Sequence, residues 1–226
     1  MNGLPTRTKA EVTSTKILEA ALELFRQEGF DQTTMRGIAA KAQVATGAAY
    51  YYYPSKDAIV MDFYRRSCDE MQPKLLQAWD STSGLEISLR NLIQVKLSQF
   101  EANRDVLRAL LRNGADPKYS LSPFSIETSE IRQMDIAWYR RVVTDSGIRV
   151  PRDLAPFIPQ VLWFFQMGVI FFWLTDDSPG QARTAKLLPL ACKVVARLVR
   201  LSSLPLMRPL RKPVLQIIEI VTEAQP

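Results

Sequence analysis

Four consecutive tyrosines, Tyr50 to Tyr53, precede Pro54, Ser55 and Lys56 and carry the most specific chemical signal in the chain. Phenol hydroxyls and a lysine ammonium are groups that hydrogen-bond phosphates and base edges. Successive residues of a helix point about 100° apart, so four tyrosines in a row cannot all be buried. At least two of the rings are therefore expected to face outward, and outward aromatic rings on a short helix indicate a binding surface.

Residues 33–56 are predicted to form two short helices joined by a tight turn. Thr33 is placed to cap the first helix, and the second is expected to begin near Ala45 and to end at Pro54, which cannot continue it. The helical period places Ala45, Ala49 and Tyr53 on one side of the second helix, and its other side carries Thr46, Gly47, Tyr50 and Tyr51. The first helix has apolar residues at i, i+3, i+4 and i+7, which are Met35, Ile38, Ala39 and Ala42. A helix-turn-helix of this kind places its second helix in the DNA major groove.

The flanking segments complete a compact head. Residues 14–28 are predicted to form an amphipathic helix that ends at Gly29, where a left-handed cap is common. Ser55 is suited to cap a further helix from Lys56 onward. Three short helices and the start of a fourth result, which is the size of one DNA-binding unit.

Residues 14–60, with the segment ILEAALELFRQEGFDQTTMRGIAAKAQVATGAAYYYYPSKDAI, resemble the N-terminal domain of the TetR (tetracycline repressor) family of bacterial transcriptional regulators. The resemblance implies an all-α homodimer whose variable C-terminal domain binds a small inducer. The chain departs from the family pattern at four positions: Gln43 replaces a turn glycine, Ala45 a capping serine, Gly37 a helix former and Ala49 a larger apolar residue.

The resemblance also implies which residues contact DNA. Thr34 and Arg36 would lie near phosphates at the start of the second helix. Tyr52 and Lys56 would clamp the backbone. The residues implied to face the major groove are Thr46, Gly47, Tyr50 and Tyr51.

Composition limits the classes of function. The net charge is +6, but residues 1–66 hold nine Lys or Arg against seven Asp or Glu, so charge alone does not predict nucleic-acid binding. The chain has no histidine and only two distant cysteines, Cys68 and Cys192. The commonest general base and metal ligand are thus missing. We expect no catalytic residues, no metal site and no cofactor, and hence no enzyme.

The sequence also predicts the cellular compartment. Residues 1–12 lack the apolar core of a signal peptide, and sparse cysteines fit a reducing cytoplasm. The apolar run from Val161 to Leu174 is shorter than a membrane span and contains Gln166. We expect a cytoplasmic protein without a membrane partner, in which this run is a buried helix.

The predicted organisation has four parts: a flexible N-terminal arm (1–12), a helix-turn-helix DNA-binding domain (13–58), a ligand-binding and dimerisation domain (59–204) and a C-terminal extension helix (205–226). No segment shows the alternation of a strand, so the fold class is all-α, a three-helix head plus a larger helical domain. Prolines are expected to stiffen residues 205–213. The helix after them has an apolar face of Val214, Ile217, Ile218 and Val221, which would pack on its own subunit or on the partner.

Several residues of the larger domain are candidates for binding. Phe100, Met134 and Trp138 would line an inducer pocket or belong to the ordinary core. Lys96 is expected to extend to solvent, as lysine stems usually do, and pairing with an anionic ligand is the alternative. Gln166 is expected to hydrogen-bond across the dimer interface, with a ligand contact as the alternative. Aromatic residues too numerous for one side of a helix predict that interface, namely Trp163, Phe165, Phe172 and Trp173.

These observations predict a dimeric transcriptional repressor on double-stranded DNA with a palindromic operator, released by an unknown small-molecule inducer. The alternative is an all-α ligand-binding or protein-interaction module that keeps the helix-turn-helix scaffold without operator binding. Outward Tyr50, Tyr51 and Tyr52 with Lys56 favour the regulator.

Overall fold

The computed structural model describes residues 8–111, 114 and 116–223, apart from the side chains at 210, 218, 219 and 221–223. Within these residues the chain forms ten α-helices and no strand, which confirms the predicted all-α fold. The helices are α1 (Lys9–Glu28), α2 (Met35–Lys41), α3 (Thr46–Tyr52), α4 (Lys56–Gln77), α5 (Leu85–Phe100), α6 (Arg104–Leu110), α7 (Ser129–Asp145), α8 (Ile158–Thr175), α9 (Ala182–Leu201) and α10 (Arg208–Glu223).

The first helix begins earlier than its apolar pattern predicts. The Thr8 hydroxyl accepts a hydrogen bond from the Glu11 amide, and the Glu11 carboxylate accepts one from the Thr8 amide. This capping box extends α1 to Lys9, so residues 9–12 of the predicted arm are helical. Residues 1–7 of that arm lie outside the described residues.

Thr34 rather than Thr33 caps α2, which corrects the sequence prediction by one residue. The Thr34 hydroxyl accepts a hydrogen bond from the Gly37 amide at 3.1 Å. Thr33 is buried, and its hydroxyl donates to the Gly29 carbonyl at 2.8 Å. Thr33 therefore closes the turn after α1, while its neighbour starts α2.

Tyr53 fixes the short helix α3 to the rest of the head. Its ring is buried, and its hydroxyl donates to the Asp62 carboxylate on α4 and lies 3.3 Å from the Ser14 carbonyl on α1. Burial, together with the Asp62 charge, raises the pKa of Tyr53 well above its ordinary value. Because α3 has seven residues and no side-chain cap, this anchor determines how its outer face is presented.

The larger domain is built around α5, which packs against α4, α7, α8 and α9. The seventh helix starts at Ser129, five residues later than the predicted helix of 124–145. Buried hydroxyls of Ser122, Ser125 and Thr128 hydrogen-bond nearby carbonyls and hold the preceding segment in turns. Such local side-chain bonds compete with helix formation.

The apolar helix α8 has 18 residues and a mean hydropathy of 1.5, which is long and apolar enough to cross a membrane by composition. It is longer than the apolar run in the sequence, and 56% of it is buried against the other helices. Arg104 and Arg108 on α6 donate to the carbonyls of Trp173 and Leu174 in its last turn. They satisfy groups that a helix end leaves without partners.

The tail differs from its prediction. Residues 205–213 were expected to be a stiff connector, but Pro205–Met207 form a 3-10 turn and α10 begins at Arg208. Pro209 is tolerated because it lies in the first turn of the helix, where backbone amides have no helical hydrogen-bond partner. Pro213 lies further along and removes one hydrogen bond from inside the helix.

The described residues on the apolar face of α10 are mostly exposed. Val214, Ile217 and Ile220 are exposed, with Ile217 at 61%, whereas Leu215 packs against the core. Ile218 and Val221 of the predicted face lie outside the described side chains. The Arg211 guanidinium also attaches the helix, because it donates to the Ser202 carbonyl at 3.1 Å.

Tyr53→Phe should lower the free energy of unfolding by about 1–2 kcal/mol, since it removes a hydrogen bond to a carboxylate. Tyr51→Phe, on the exposed side of the same helix, should leave stability unchanged. Urea denaturation of both variants measures the difference. Equal stability of the two variants would show that the Tyr53 hydroxyl does not anchor α3.

Candidate nucleic-acid interface and ligand cavity

The outer face of α3 presents a set of polar and aromatic side chains to solvent. Tyr51 is 84% exposed and Tyr50 is 51% exposed, while Ala49 and Tyr53 are buried, as predicted from the helical period. Ala45, predicted on the same inner side, is exposed because it caps the start of α3. A Cβ added to Gly47 would meet no atom within 4 Å, so the helix backbone is open at this point. We call Thr46, Gly47, Tyr50 and Tyr51 the recognition surface.

A Schellman turn between α2 and α3 sets the angle of this surface. The Val44 amide donates to the Ala39 carbonyl at 3.0 Å, and the Gln43 amide donates to the Ala40 carbonyl at 3.1 Å. These are the two bonds that define the motif, whose central residue is usually glycine. Gln43 occupies that position with a φ of +57°, a left-handed conformation that strains a residue with a side chain.

The residues predicted to contact the DNA backbone differ in their exposure and in their contacts within the chain. Thr34 and Arg36 are exposed at the start of α2, whereas Tyr52 is half-buried with its ring edge-on to Tyr51. The Lys56 ammonium donates to the Phe30 carbonyl at 2.6 Å and lies 4.6 Å from the Phe30 ring centroid. Lys56 therefore holds the turn after α1 in place, and its contact with phosphate stays a prediction.

A cavity of about 120 Å³ opens between α4, α5, α6, α7 and α8. Phe100, one of three predicted pocket residues, lines it. Met134 is exposed, and Trp138 packs on Trp79 and donates to the Gln72 amide oxygen at 3.0 Å. These two side chains do not line the cavity but a separate surface depression, together with Gln72, Ala137 and Arg141.

A buried polar cluster lies at one end of the cavity. Lys96 is 2% exposed, and its ammonium donates to Asp135 and, at 2.5 Å, to the Gln166 amide oxygen. Tyr139 also donates to that oxygen, and the Gln166 amide nitrogen donates to Asp135 at 2.7 Å. Burial lowers the pKa of Lys96, and the Asp135 carboxylate opposes this shift.

Two sequence expectations are wrong at this cluster. Lys96 does not extend to solvent, because α5 places it on the buried face beside Ile93 and Leu92. Gln166 does not reach a dimer interface, because it is 1% exposed in the single chain and both ends of its amide are hydrogen-bonded in the interior of that chain. It lines the cavity instead, which keeps the alternative of a ligand contact open.

Of the four residues predicted at the dimer interface, two belong to the core of the single chain. Trp163 and Trp173 are each 2% exposed, since α8 turns them toward the same interior side as Gln166. Phe165 is half-buried and Phe172 is exposed on the other side of the helix. We use the name outer apolar face for these two residues together with the exposed apolar residues of α9, the helix that packs beside α8. It comprises Phe165, Phe172, Leu190, Val194, Leu198 and Leu201.

Metal ligands and reactive thiols do not come together in the described residues. No group of three His, Cys, Asp or Glu side chains there is placed to hold a metal ion. Burial raises the pKa of Cys68, at the cavity, to about 11 and that of Cys192 to about 12. Both thiols are therefore protonated at neutral pH.

A three-helix head with tyrosines on its third helix, joined to a larger helical domain, defines a helix-turn-helix protein. A model of the family described as bacterial regulatory proteins, tetR family, matches residues 17–62. A model of the tetracyclin repressor-like C-terminal domain matches residues 88–214, more than half of the chain. The chain belongs to the TetR family of bacterial regulatory proteins.

Individual relatives are more distant. HTH-type transcriptional regulator YuxN of Bacillus subtilis (strain 168), named as uncharacterized, is 27% identical over 101 residues, which are 45% of this chain and 35% of YuxN. The regulator Mb0790c of Mycobacterium bovis, also named as uncharacterized, is 30% identical over 113 residues, which are 48% of this chain and 51% of Mb0790c. The chain thus spans about a third of the first relative and about half of the second.

Solved structures support the fold over most of the chain. The TetR transcriptional regulator of Nitrosomonas europaea superposes with a TM-score of 0.62 at 16% identity, covering 82% of this chain and 98% of that one. The fatty acid degradation regulator FadR of Bacillus halodurans gives a TM-score of 0.61 at 17% identity, covering 87% and 97%.

Gln43→Gly should raise the free energy of unfolding by about 0.5–1 kcal/mol, since relief of the left-handed strain exceeds the entropy that glycine loses on folding. Gln27→Gly, inside α1, should lower it by a similar amount. Thermal denaturation of both variants tests the opposite signs. A loss of stability in Gln43→Gly would mean that the turn gains from this side chain.

Proposed function

We propose that the protein is a dimeric transcriptional repressor that binds a palindromic DNA operator and is released by a small molecule. The observation that carries this proposal is the recognition surface, where Tyr50 and Tyr51 stand exposed beside an open Gly47. Large aromatic side chains rarely stay in solvent on a short helix without a binding role.

In this proposal α3 enters the major groove. Thr46 and the phenol hydroxyls of Tyr50 and Tyr51 offer donors and acceptors to base edges, and Gly47 allows the backbone to approach closely. Arg36, exposed at the start of α2, would contact a phosphate and so contribute affinity without sequence information. Two such heads would read half-sites separated by about 34–36 Å, one turn of DNA.

The outer apolar face is our candidate for the dimer interface. Leu190, Val194 and Leu198 are more than half exposed and repeat at four-residue intervals on one side of α9. Contiguous exposed apolar surface of this kind is avoided by monomeric proteins. A partner would pack α8 and α9 against their own copies and could cover the exposed face of α10 as well.

Release by a ligand follows from how α4 is connected. Tyr64, Cys68 and Met71 on α4 line the cavity, and the same helix holds the head through Asp62 and Tyr53. A second contact runs from α1 to the start of α6, where Arg26 donates to Asn103 at 2.8 Å. A ligand that fits the cavity better in one arrangement of α4 and α6 would shift the population of head positions.

Tyr51→Ala should change the preference among operator variants, because a base contact is worth about 1–3 kcal/mol for the correct base. Arg36→Gln should instead weaken binding to all variants alike and lower the salt slope by about one unit. Quantitative footprinting on the region upstream of the protein's own gene measures both effects.

Two results would contradict these assignments. A uniform loss in Tyr51→Ala would make that residue a positioning contact rather than a reader of sequence. No protection of any site by the folded dimer, with selection from randomised duplexes also failing, would favour the alternative of an interaction module without operator binding.

Leu198→Glu should raise the dimer dissociation constant at least about tenfold, because it would bury an unpaired carboxylate in the outer apolar face. Lys193→Glu introduces a glutamate on the polar side of α9 and should leave the association of the two chains unchanged. Sedimentation equilibrium at micromolar concentration distinguishes the two. A monomeric wild-type protein under these conditions would exclude the proposed dimer.

A further inference from the structure

Three charged side chains line the cavity, and their charges do not cancel. Lys96 and Asp135 form an ion pair whose remaining hydrogen-bonding groups are taken up by Gln166. The third is Arg132 on α7. The lining therefore carries one positive charge in excess, inside walls that are otherwise mainly apolar.

Arg132 is buried without a carboxylate partner. It is 6% exposed, and within the described residues no Asp or Glu lies at ion-pair distance from it. Its Nη1 donates to the carbonyls of Pro123 at 2.8 Å and Ser125 at 3.0 Å. Its Nε and Nη2 donate to no described protein atom.

The position of Arg132 on its helix adds to this field. It is the fourth residue of α7, and a helix N-terminus carries a partial positive charge that favours anions and disfavours cations. Burial also lowers the pKa of Arg132, which expresses the cost of holding this cation out of water. An anion in the cavity would relieve both effects.

The apolar lining of the cavity indicates which kind of molecule would carry the anionic group. Phe100, Leu107, Trp163 and Ile170 give it apolar walls. Its volume of about 120 Å³ is of the order of a cavity that accepts a benzene-sized molecule. A bare inorganic anion would leave these walls uncovered, and a neutral apolar molecule would leave Arg132 unpaired.

We propose that the cavity binds a small organic acid, with its carboxylate on Arg132 and an apolar body of about ring size against Phe100 and Trp163. This inference rests on the proposed ligand-released repressor and names the chemical class of its ligand. A cationic ligand does not suit the site, because Lys96 already neutralises the Asp135 carboxylate and the described lining keeps a net positive charge.

The test compares probes of matched size on the full chain without DNA. Benzoate, phenylacetate and hexanoate carry the carboxylate, while benzamide is neutral and benzylamine is cationic. Calorimetry measures binding, and tryptophan fluorescence reports occupancy because Trp163 lines the cavity. We expect at least one carboxylate to bind at least tenfold more tightly than benzamide, with benzylamine the weakest.

Variants then assign the selectivity to one residue. Arg132→Gln should weaken carboxylate binding by about ten- to a hundredfold and leave benzamide binding unchanged. Arg140→Gln, at an exposed position of the same helix, is the matched control and should bind like the wild type. Arg132→Lys should retain part of the selectivity. Should Arg132→Gln unfold in circular dichroism, the selectivity of the wild type among the probes decides alone.

The inference is overturned if no carboxylate binds at millimolar concentration, if benzamide or benzylamine binds as tightly, or if folded Arg132→Gln keeps full affinity. Footprinting separates these outcomes from the proposed function. Operator binding that only neutral or cationic compounds release would support the proposed repressor and contradict the acid ligand. Carboxylate binding through Arg132 without operator binding would support the acid ligand and contradict the proposed repressor.

Discussion

The larger domain depends on neutralising one buried ammonium group. Lys96 projects from α5, the helix against which α4, α7, α8 and α9 pack, and it is 2% exposed. A charge in that position is tolerated only when it is paired and hydrogen-bonded. Asp135 from α7 and Gln166 from α8 meet this requirement, so the same contacts that neutralise Lys96 also fix the relative positions of three helices.

The cavity is a result of this arrangement. Its polar end is the Lys96 cluster, and its apolar walls come from side chains that the three helices bring together with those of α4 and α6. The cluster is satisfied within the chain, so it offers a ligand few free groups. Arg132 differs, because its Nη1 bonds fix the preceding turns while its other nitrogens stay available. One guanidinium thus serves the fold and the candidate site together.

Much of the head could be predicted because its signals are local. Helical period alone separates inward Ala49 and Tyr53 from outward Tyr50 and Tyr51, and the structure confirms this division. Gln43 marks the left-handed turn position because glycine is usual there in the family. The start of α1 carried a local signal as well, the Thr8 and Glu11 capping box, which lies outside the apolar pattern. The start of α7 was less predictable, because buried hydroxyls compete with the backbone there.

The larger domain was harder to predict because its decisive contacts join distant residues. Lys96 lies on the apolar face of its own helix, which was the available signal, but its partners are 39 and 70 positions away. Trp163 and Trp173 were assigned to an interface from the number of aromatic residues in α8. Their angular positions place them inside instead, because α6 and α7 cover that side. The tail prolines, expected to form a stiff connector, lie partly within α10 instead.

If the chain dimerises as proposed, the exposed apolar residues of α9 and α10 make its assembly depend on protein concentration. A state that only the assembled form stabilises gains stability as protein concentration rises. Freshly synthesised chains at low copy number would expose Leu198 and Ile217 to proteases and chaperones, whereas accumulated chains would protect one another. Under the proposed dimer, the lifetime of each chain in the cell would therefore increase with the number of chains already present.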